Sequence, residues 1–199
     1  MAENHRFWHL ACGALVVAAA AAGCSQPPEV PRGNDQIKPT YNAKTGRLEK
    51  ITYDRNRDGK VDAWTFMNGT RVVRAELDDN HDGQVDRWEF YDTGDGAGAA
   101  PSGAPAAGVL VRVETSTRND GKVSRREFYE RGQRVRAEED TDGDGRVDKW
   151  ETWANAALST ILLDTSGDGT ADRRIVYPAD GSGPRFEVAG TDGTFAAAP

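Results

Sequence analysis

Four stretches of this chain place oxygen-bearing side chains at spacings suited to a hard cation. They read DRNRDGKVD from Asp54, DDNHDGQVD from Asp78, DTDGDGRVD from Asp140 and DTSGDGTAD from Asp164. In such a loop the oxygens at positions 1, 3 and 5 converge with the carbonyl at 7. Glycine at 6 permits the sharp turn, and the apolar residue at 8 anchors the loop. An aspartate at position 9 closes each stretch. The candidate ligands are Asp54, Asn56, Asp58 and Asp62 in the first loop, and Asp78, Asn80, Asp82 and Asp86 in the second. Asp140, Asp142, Asp144 and Asp148 follow, then Asp164, Ser166, Asp168 and Asp172. Position 12 adds Glu89 and Glu151, but holds Thr65 and Ile175 in the other two loops. A shortened loop closed by aspartate at 9 fits this better than a regulatory loop closed by glutamate at 12. A fifth copy, STRNDGKVS from Ser116, has Arg118 at position 3 and Ser124 at position 9 and is expected to hold no cation.

Asp, Asn and Gly also favour turns without any metal. Four loops that each concentrate like charges are costly unless a cation offsets them. Calcium, up to four ions, is therefore the expected cofactor, with extracellular-type affinities of roughly 10⁻⁴–10⁻³ M. Magnesium seldom uses such all-protein cages.

The elements that carry these loops are set by a repeat. The five copies start at 54, 78, 116, 140 and 164, so the spacings are 24, 38, 24 and 24. The long one contains GDGAGAAPSGAPAAG, a low-complexity insert at 94–108. A 24-residue period leaves no room for an entering and an exiting helix around each loop. The intervening segments are short, aromatic and β-branched, and carry a mid-segment glycine: Gly46, the Asn68-Gly69 pair and Gly132. That pattern suits a hairpin tip and damages a helix. The expected fold is all-β, a repetitive antiparallel β-hairpin array with Asp-rich loops between strands. WETWANAALSTILL, before the last loop, also fits a helix when read alone.

Position 11 carries Trp64, Trp88, Arg126, Trp150 and Arg174, and position 13 carries Phe66, Phe90, Phe128, Thr152 and Val176. These are expected to share one face, stack between repeats and form the core, with a glycan or peptide platform as the other reading. Arg74/Glu76 and Arg136/Glu138 are expected to pair in solvent, contributing little each. His81 sits at position 4 of the second loop, where side chains point outward. No cysteine nucleophile, HExxH or phosphate-binding glycine loop follows the leader, so an enzyme is not expected.

The loops resemble the calcium repeats of thrombospondin type 3, dockerin and integrin propellers, and are EF-hand-like. The whole unit, D-x-[N/D]-x-D-G-x-V-D-x-W-x-F-Y with G-x-x-x-R-x-E, is similar to uncharacterised repeat lipoproteins of Gram-negative bacteria over residues 41–177. At the N-terminus, Arg6, the apolar run Ala11–Ala22 and Ala21-Ala22-Gly23-Cys24 resemble the signal and lipobox of bacterial lipoproteins. The resemblance implies cleavage after residue 23, a palmitoylated Cys24 anchored to the membrane, and, through Ser25, retention in the outer membrane. Residues 24–40, with Pro27, Pro28, Pro31 and Pro39, read as a tether, and 178–199 as a degraded cap and loose tail.

Composition agrees with this assignment. The 32 acidic and 25 basic residues give a net charge of −7, which offers no reason for nucleic-acid binding. Asp outnumbers Glu 20 to 12, and half of all acids lie in the four loops. The expected function is a calcium-stabilised structural or interaction lipoprotein of the cell envelope, with an envelope protein or glycan as partner. A calcium-dependent glycan- or protein-binding module and a helical EF-hand-type sensor are the alternatives.

Overall fold

The repeat folds as a meander. In the structure, a computed structural model describing residues 36–92 and 108–198, strands run β1 Ile37–Tyr41, β2 Leu48–Tyr53, β3 Ala63–Asn68, β4 Arg71–Leu77, β5 Arg87–Asp92, β6 Val109–Thr115 and β7 Arg125–Glu130. There follow β8 Gln133–Glu139, β9 Lys149–Ala154, β10 Ala157–Leu163, β11 Arg173–Val176, β12 Arg185–Ala189 and β13 Phe195–Ala197. Each strand pairs antiparallel with its sequence neighbours in one 13-stranded sheet. The leader, Cys24, most of the tether and nearly all of the insert lie outside the described residues. Asp92 pairs with Val109, so the residues flanking the insert lie on neighbouring strands.

Alternation puts the Asp-rich loops along one border of the sheet and the tight turns along the other. WETWANAALSTILL is a hairpin: Ala154 pairs with Ala157, and Asn155 and Ala156 make the turn at φ of 51° and 62°. The first-repeat turn is Gly69-Thr70, one residue later than expected, because Asn68 still pairs with Arg71. The return strands β2, β4, β6, β8 and β10 each carry a one-residue bulge at the same repeat position, at Glu49, Val73, Val111, Val135 and Ser159. The 24-residue period left these bulges hidden.

Every described loop of the repeat is flanked by strands, and no described residue is helical. That overturns the EF-hand-like resemblance and with it the helical calcium sensor. The lipoprotein and membrane reading likewise finds no counterpart in the described residues, which are all-β. No helix among them is long and apolar enough to cross a membrane.

The aromatic residues share a face as expected, but they are not a core. Trp64, Glu76, Trp88, Glu114, Arg126, Glu138 and Trp150 form one continuous register row across seven strands. Beside it runs Phe66, Arg74, Phe90, Arg112, Phe128 and Arg136. A return strand therefore separates successive aromatics. The guanidinium of Arg74 lies 4.4 Å from the Phe66 ring centre, Arg112 4.1 Å from Phe90, and Arg136 3.6 Å from Phe128. Arg74, Arg112 and Arg136 also pair with Glu76, Glu114 and Glu138 along their own strands. These ion pairs thus hold cations over aromatic faces, a role worth about 0.5–1 kcal/mol each at exposed sites. Val113 and Ala137 are the buried hydrophobic residues among those described; the other buried side chains are polar.

Candidate metal centre

The buried polar residues are mostly loop residues. Asp62, Asp78, Asp86, Ser116, Ser124, Asp140 and Asp164 are all less than one-tenth exposed, at the first or ninth loop position. Backbone geometry explains their burial. The N–H of position 1 donates to the position-9 carbonyl of the preceding loop: Asp78 to Asp62 at 2.8 Å, Ser116 to Asp86 at 2.7 Å, Asp140 to Ser124 and Asp164 to Asp148 at 2.8 Å. The five loops are stacked as rungs of one ladder.

Within each rung the carboxylates fold the backbone around themselves. Asp140 accepts from the N–H groups of Gly143 at 2.6 Å and Gly145 at 3.0 Å, and Asp148 from Thr141 at 2.9 Å and Asp142 at 3.3 Å. Asp54 and Asp164 hold the equivalent N–H pairs of positions 4 and 6, and Asp78 those of positions 5 and 6. Asp62, Asp86 and Asp172 hold those of positions 2 and 3. The position-5 carboxylates Asp58, Asp82, Asp144 and Asp168 each accept from the N–H of position 7. Position 4 is left-handed in every loop, at Arg57, His81, Asn119, Gly143 and Gly167.

The worn third loop keeps this scheme with hydroxyls in place of the carboxylates at positions 1 and 9, while Asp120 at position 5 still accepts from the Lys122 N–H. Ser116 Oγ takes the N–H of Asp120 at 3.1 Å, and Ser124 Oγ that of Thr117 at 2.9 Å. Hydroxyls at positions 1 and 9 are therefore enough to build a rung.

Position 3 separates the loops. In the first two it is an asparagine whose amide donates to neighbouring carboxylates, Asn56 to Asp58 at 3.3 Å, and Asn80 to Asp82 at 3.2 Å and Asp86 at 3.4 Å. In the last, Ser166 Oγ donates to Asp164 at 3.1 Å. In the fourth it is Asp142, a further carboxylate with no proton to give. Asp140, Asp142 and Asp148 bring ligand oxygens within 4.8 Å of one another, the one acidic group of this kind among the described residues. Three carboxylates so placed suit a hard divalent cation. Asp144 completes the loop but lies outside that group.

Position 12 does not join the loops. Glu151 is on β9, opposite Ala137 and Ile161, and is held by Arg125 Nη2 at 2.6 Å and Lys149 Nζ at 2.8 Å. Glu89 on β5 accepts from the Tyr91 hydroxyl at 2.5 Å, and burial with this bond pushes Tyr91 up to about 12. Arg125 also reaches Glu127 at 3.1 Å and Glu139 at 2.8 Å. This half-buried charge cluster escaped the sequence reading because its members come from three strands, β7, β8 and β9, and have no shared motif.

The electrostatics favour ionised loops. Burial alone would raise the Asp140 carboxyl, but the Gly143 and Gly145 N–H groups and Arg118 hold it below the ordinary range. Against the same effect of burial, Asn56, Arg55 and His81 hold Asp62 low, and Gly169, Gly167 and Ser166 hold Asp164 low. His81 does not point into solvent as expected: its Nδ1 lies 3.2 Å from Asp62 Oδ1 of the preceding rung.

No family model matches the chain. No curated protein matches it either. The thrombospondin- and EF-hand-type repeat assignment therefore has no support from families, and the strands contradict its helical form. Among solved structures there is a likeness to the accessory secretory protein 1, 2 and 3 crystal structure from Streptococcus pneumoniae. Identity is 15%, the TM-score is 0.31, and the match covers 65% of this chain and 19% of that one. At that score the likeness carries no argument. What stands is a repetitive acidic β-sheet with clustered carboxylates, compatible with cation binding or an interaction surface.

Proposed function

We propose that this chain is a non-catalytic, calcium-binding repeat scaffold whose ladder of loops is stabilised by the ion. The convergence of Asp140, Asp142 and Asp148 carries this reading. Calcium is favoured over magnesium because the donors are all protein oxygens. The fourth loop is the primary site. In the first, second and fifth, the residue at position 3 must turn its oxygen inward, making these weaker sites and four ions the upper limit. Cation binding at the loops is independent of Cys24 and of any membrane. Thermal unfolding with millimolar calcium and with a chelator tests it. At a Kd of roughly 10⁻⁴ M, millimolar calcium is about ten times Kd and adds about 1.4 kcal/mol, so Tm rises by a few degrees. Equal unfolding temperatures in the two conditions would end the calcium reading.

A second reading is favoured by one observation. The Phe row is covered by arginines, whereas among the described residues no guanidinium lies over Trp64, Trp88 or Trp150. Half-buried Trp64 and Trp88 stand two strands or about 9.5 Å apart, and Trp150 four strands or about 19 Å beyond Trp88, with Arg126 midway. Such a row suits an extended glycan or peptide. Trp emission that shifts on adding an oligosaccharide would support it; emission that responds to calcium alone would leave the scaffold role by itself.

A further inference from the structure

Junctions between rungs differ in whether the chain supplies its own cation. Between the third and fourth loops it does. Arg118, at position 3 of the worn loop, crosses to the next rung, where Nη1 donates to the Asp140 carbonyl at 2.9 Å. Its Nη2 lies 3.5 Å from Asp140 Oδ2. The guanidinium rests on Gly143, where an added Cβ would come within 3.1 Å of Cζ. One residue thus touches the carbonyl, the carboxylate and the turn of the loop whose carboxylates converge. Between the fourth and fifth loops no basic side chain crosses among the described residues. A cleft of about 170 Å³ lies there instead, lined by Asp142, Asp144, Asp148 and Asp164 and, on the fourth loop's own side, by Arg146. The side chain that would hold a cation in the third loop has itself become a cation, and it is directed at the loop beyond.

We propose that Arg118 is the resident counter-cation of the fourth loop and sets that loop's apparent affinity for divalent cations by competing for Asp140. This rests on the reading of the fourth loop as a cation site. Both charges seek the same carboxylate, and a competent state populated a tenth of the time raises the apparent Kd about tenfold. The linkage is reciprocal: a bound cation weakens the hold of Arg118 on Asp140 by the same factor. The benefit is a ladder whose third and fourth rungs stay joined when cation is scarce.

The glycine amides Gly59, Gly83, Gly145 and Gly169 each sit at position 6 of one loop, so calcium titration followed by NMR reads the four sites separately. In Arg118→Gln the Gly145 midpoint is expected to fall about tenfold, with the other three unchanged. The variant should also unfold at a lower temperature than the parent in chelator, with the gap narrowing in calcium. Arg118→Lys, which keeps the charge but loses the fork, should lie between the two and guards against a folding defect in the glutamine variant. A Gly145 midpoint that is unchanged, that weakens, or that moves together with the other three overturns the role of Arg118 while leaving the calcium site standing. Absence of any calcium response at Gly145 in both parent and variant overturns the site and the proposal together.

Discussion

At the scale of single residues, the loop aspartates are structural acceptors first. Asp62 is 2% exposed and holds the N–H groups of Arg55 and Asn56. Asp62→Ala leaves both without an acceptor and is expected to cost about 1–3 kcal/mol. Asp62→Ser should cost clearly less, because Ser124 fills the same position in the third loop through one hydroxyl. Urea denaturation of the two variants separates them; equal losses would show that charge, rather than hydrogen bonding, is what the position needs. The same residues set the acid limit. Asp62, Asp140 and Asp164 are held below the ordinary carboxyl range once burial has been offset by their N–H donors. Burial raises Glu127 and Glu151 too, but Tyr129 and Arg125 bring the first below the range, as Arg125 and Lys149 do the second. Folded values below unfolded ones mean stabilisation that is complete only above about pH 5 and lost as pH falls through the folded values. Urea midpoints between pH 6 and pH 2 should therefore fall on acidification; a midpoint that held steady or rose would contradict these carboxylates being ionised partners.

At the scale of elements, the hairpin unit was legible because glycine and asparagine mark its tips and the loop motif marks its period. The bulges were not, since an extra residue such as Val73 looks like any β-branched strand residue. The role of the aromatics was also misread. Their spacing showed the shared face, but only cross-strand register revealed that Arg74, Arg112 and Arg136 alternate with Phe66, Phe90 and Phe128. The loop ligands split in the same way. Residues close in sequence such as Asp140, Asp142 and Asp148 were found from spacing, whereas Arg125, which holds Glu151, comes from β7. The turn between β9 and β10 gives an element-scale prediction. Asn155 and Ala156 both have positive φ, the geometry of a two-residue hairpin turn that favours Asn-Gly. A left-handed alanine costs roughly 1–2 kcal/mol that glycine avoids, while glycine loses more freedom on folding. Ala156→Gly should on balance stabilise the protein by about 0.5–1 kcal/mol, read as a rise in urea midpoint with an unchanged slope. A fall in midpoint would mean that the turn is not held in this conformation.

At the scale of the whole molecule, a sheet with little buried apolar surface must be stabilised rung by rung. Each strand pairs its backbone only with its sequence neighbours, so cooperativity passes along the meander as it does in repeat proteins. The ends are the weak points. The Gln36 carbonyl accepts from Asp54, so the alternate residues of β1, Ile37 and Pro39, direct their backbone groups to the free border. Proline has no N–H to offer there, which blunts pairing with another chain. The strongest interactions sit centrally, where Val113 and Ala137 are buried and Arg125 joins Glu127, Glu139 and Glu151. Amide exchange should therefore be slowest in β6 to β9 and quicken stepwise toward β1 and β13, since local opening follows local contact. Calcium should slow exchange most in β8 to β11, the strands joined by the fourth and fifth loops, because an ion at Asp140, Asp142 and Asp148 ties their loop ends together. Uniform protection across all strands would instead show a single cooperative unit. The ladder of loops would then be an ornament on the sheet's border, and the rung-by-rung view would fail with it.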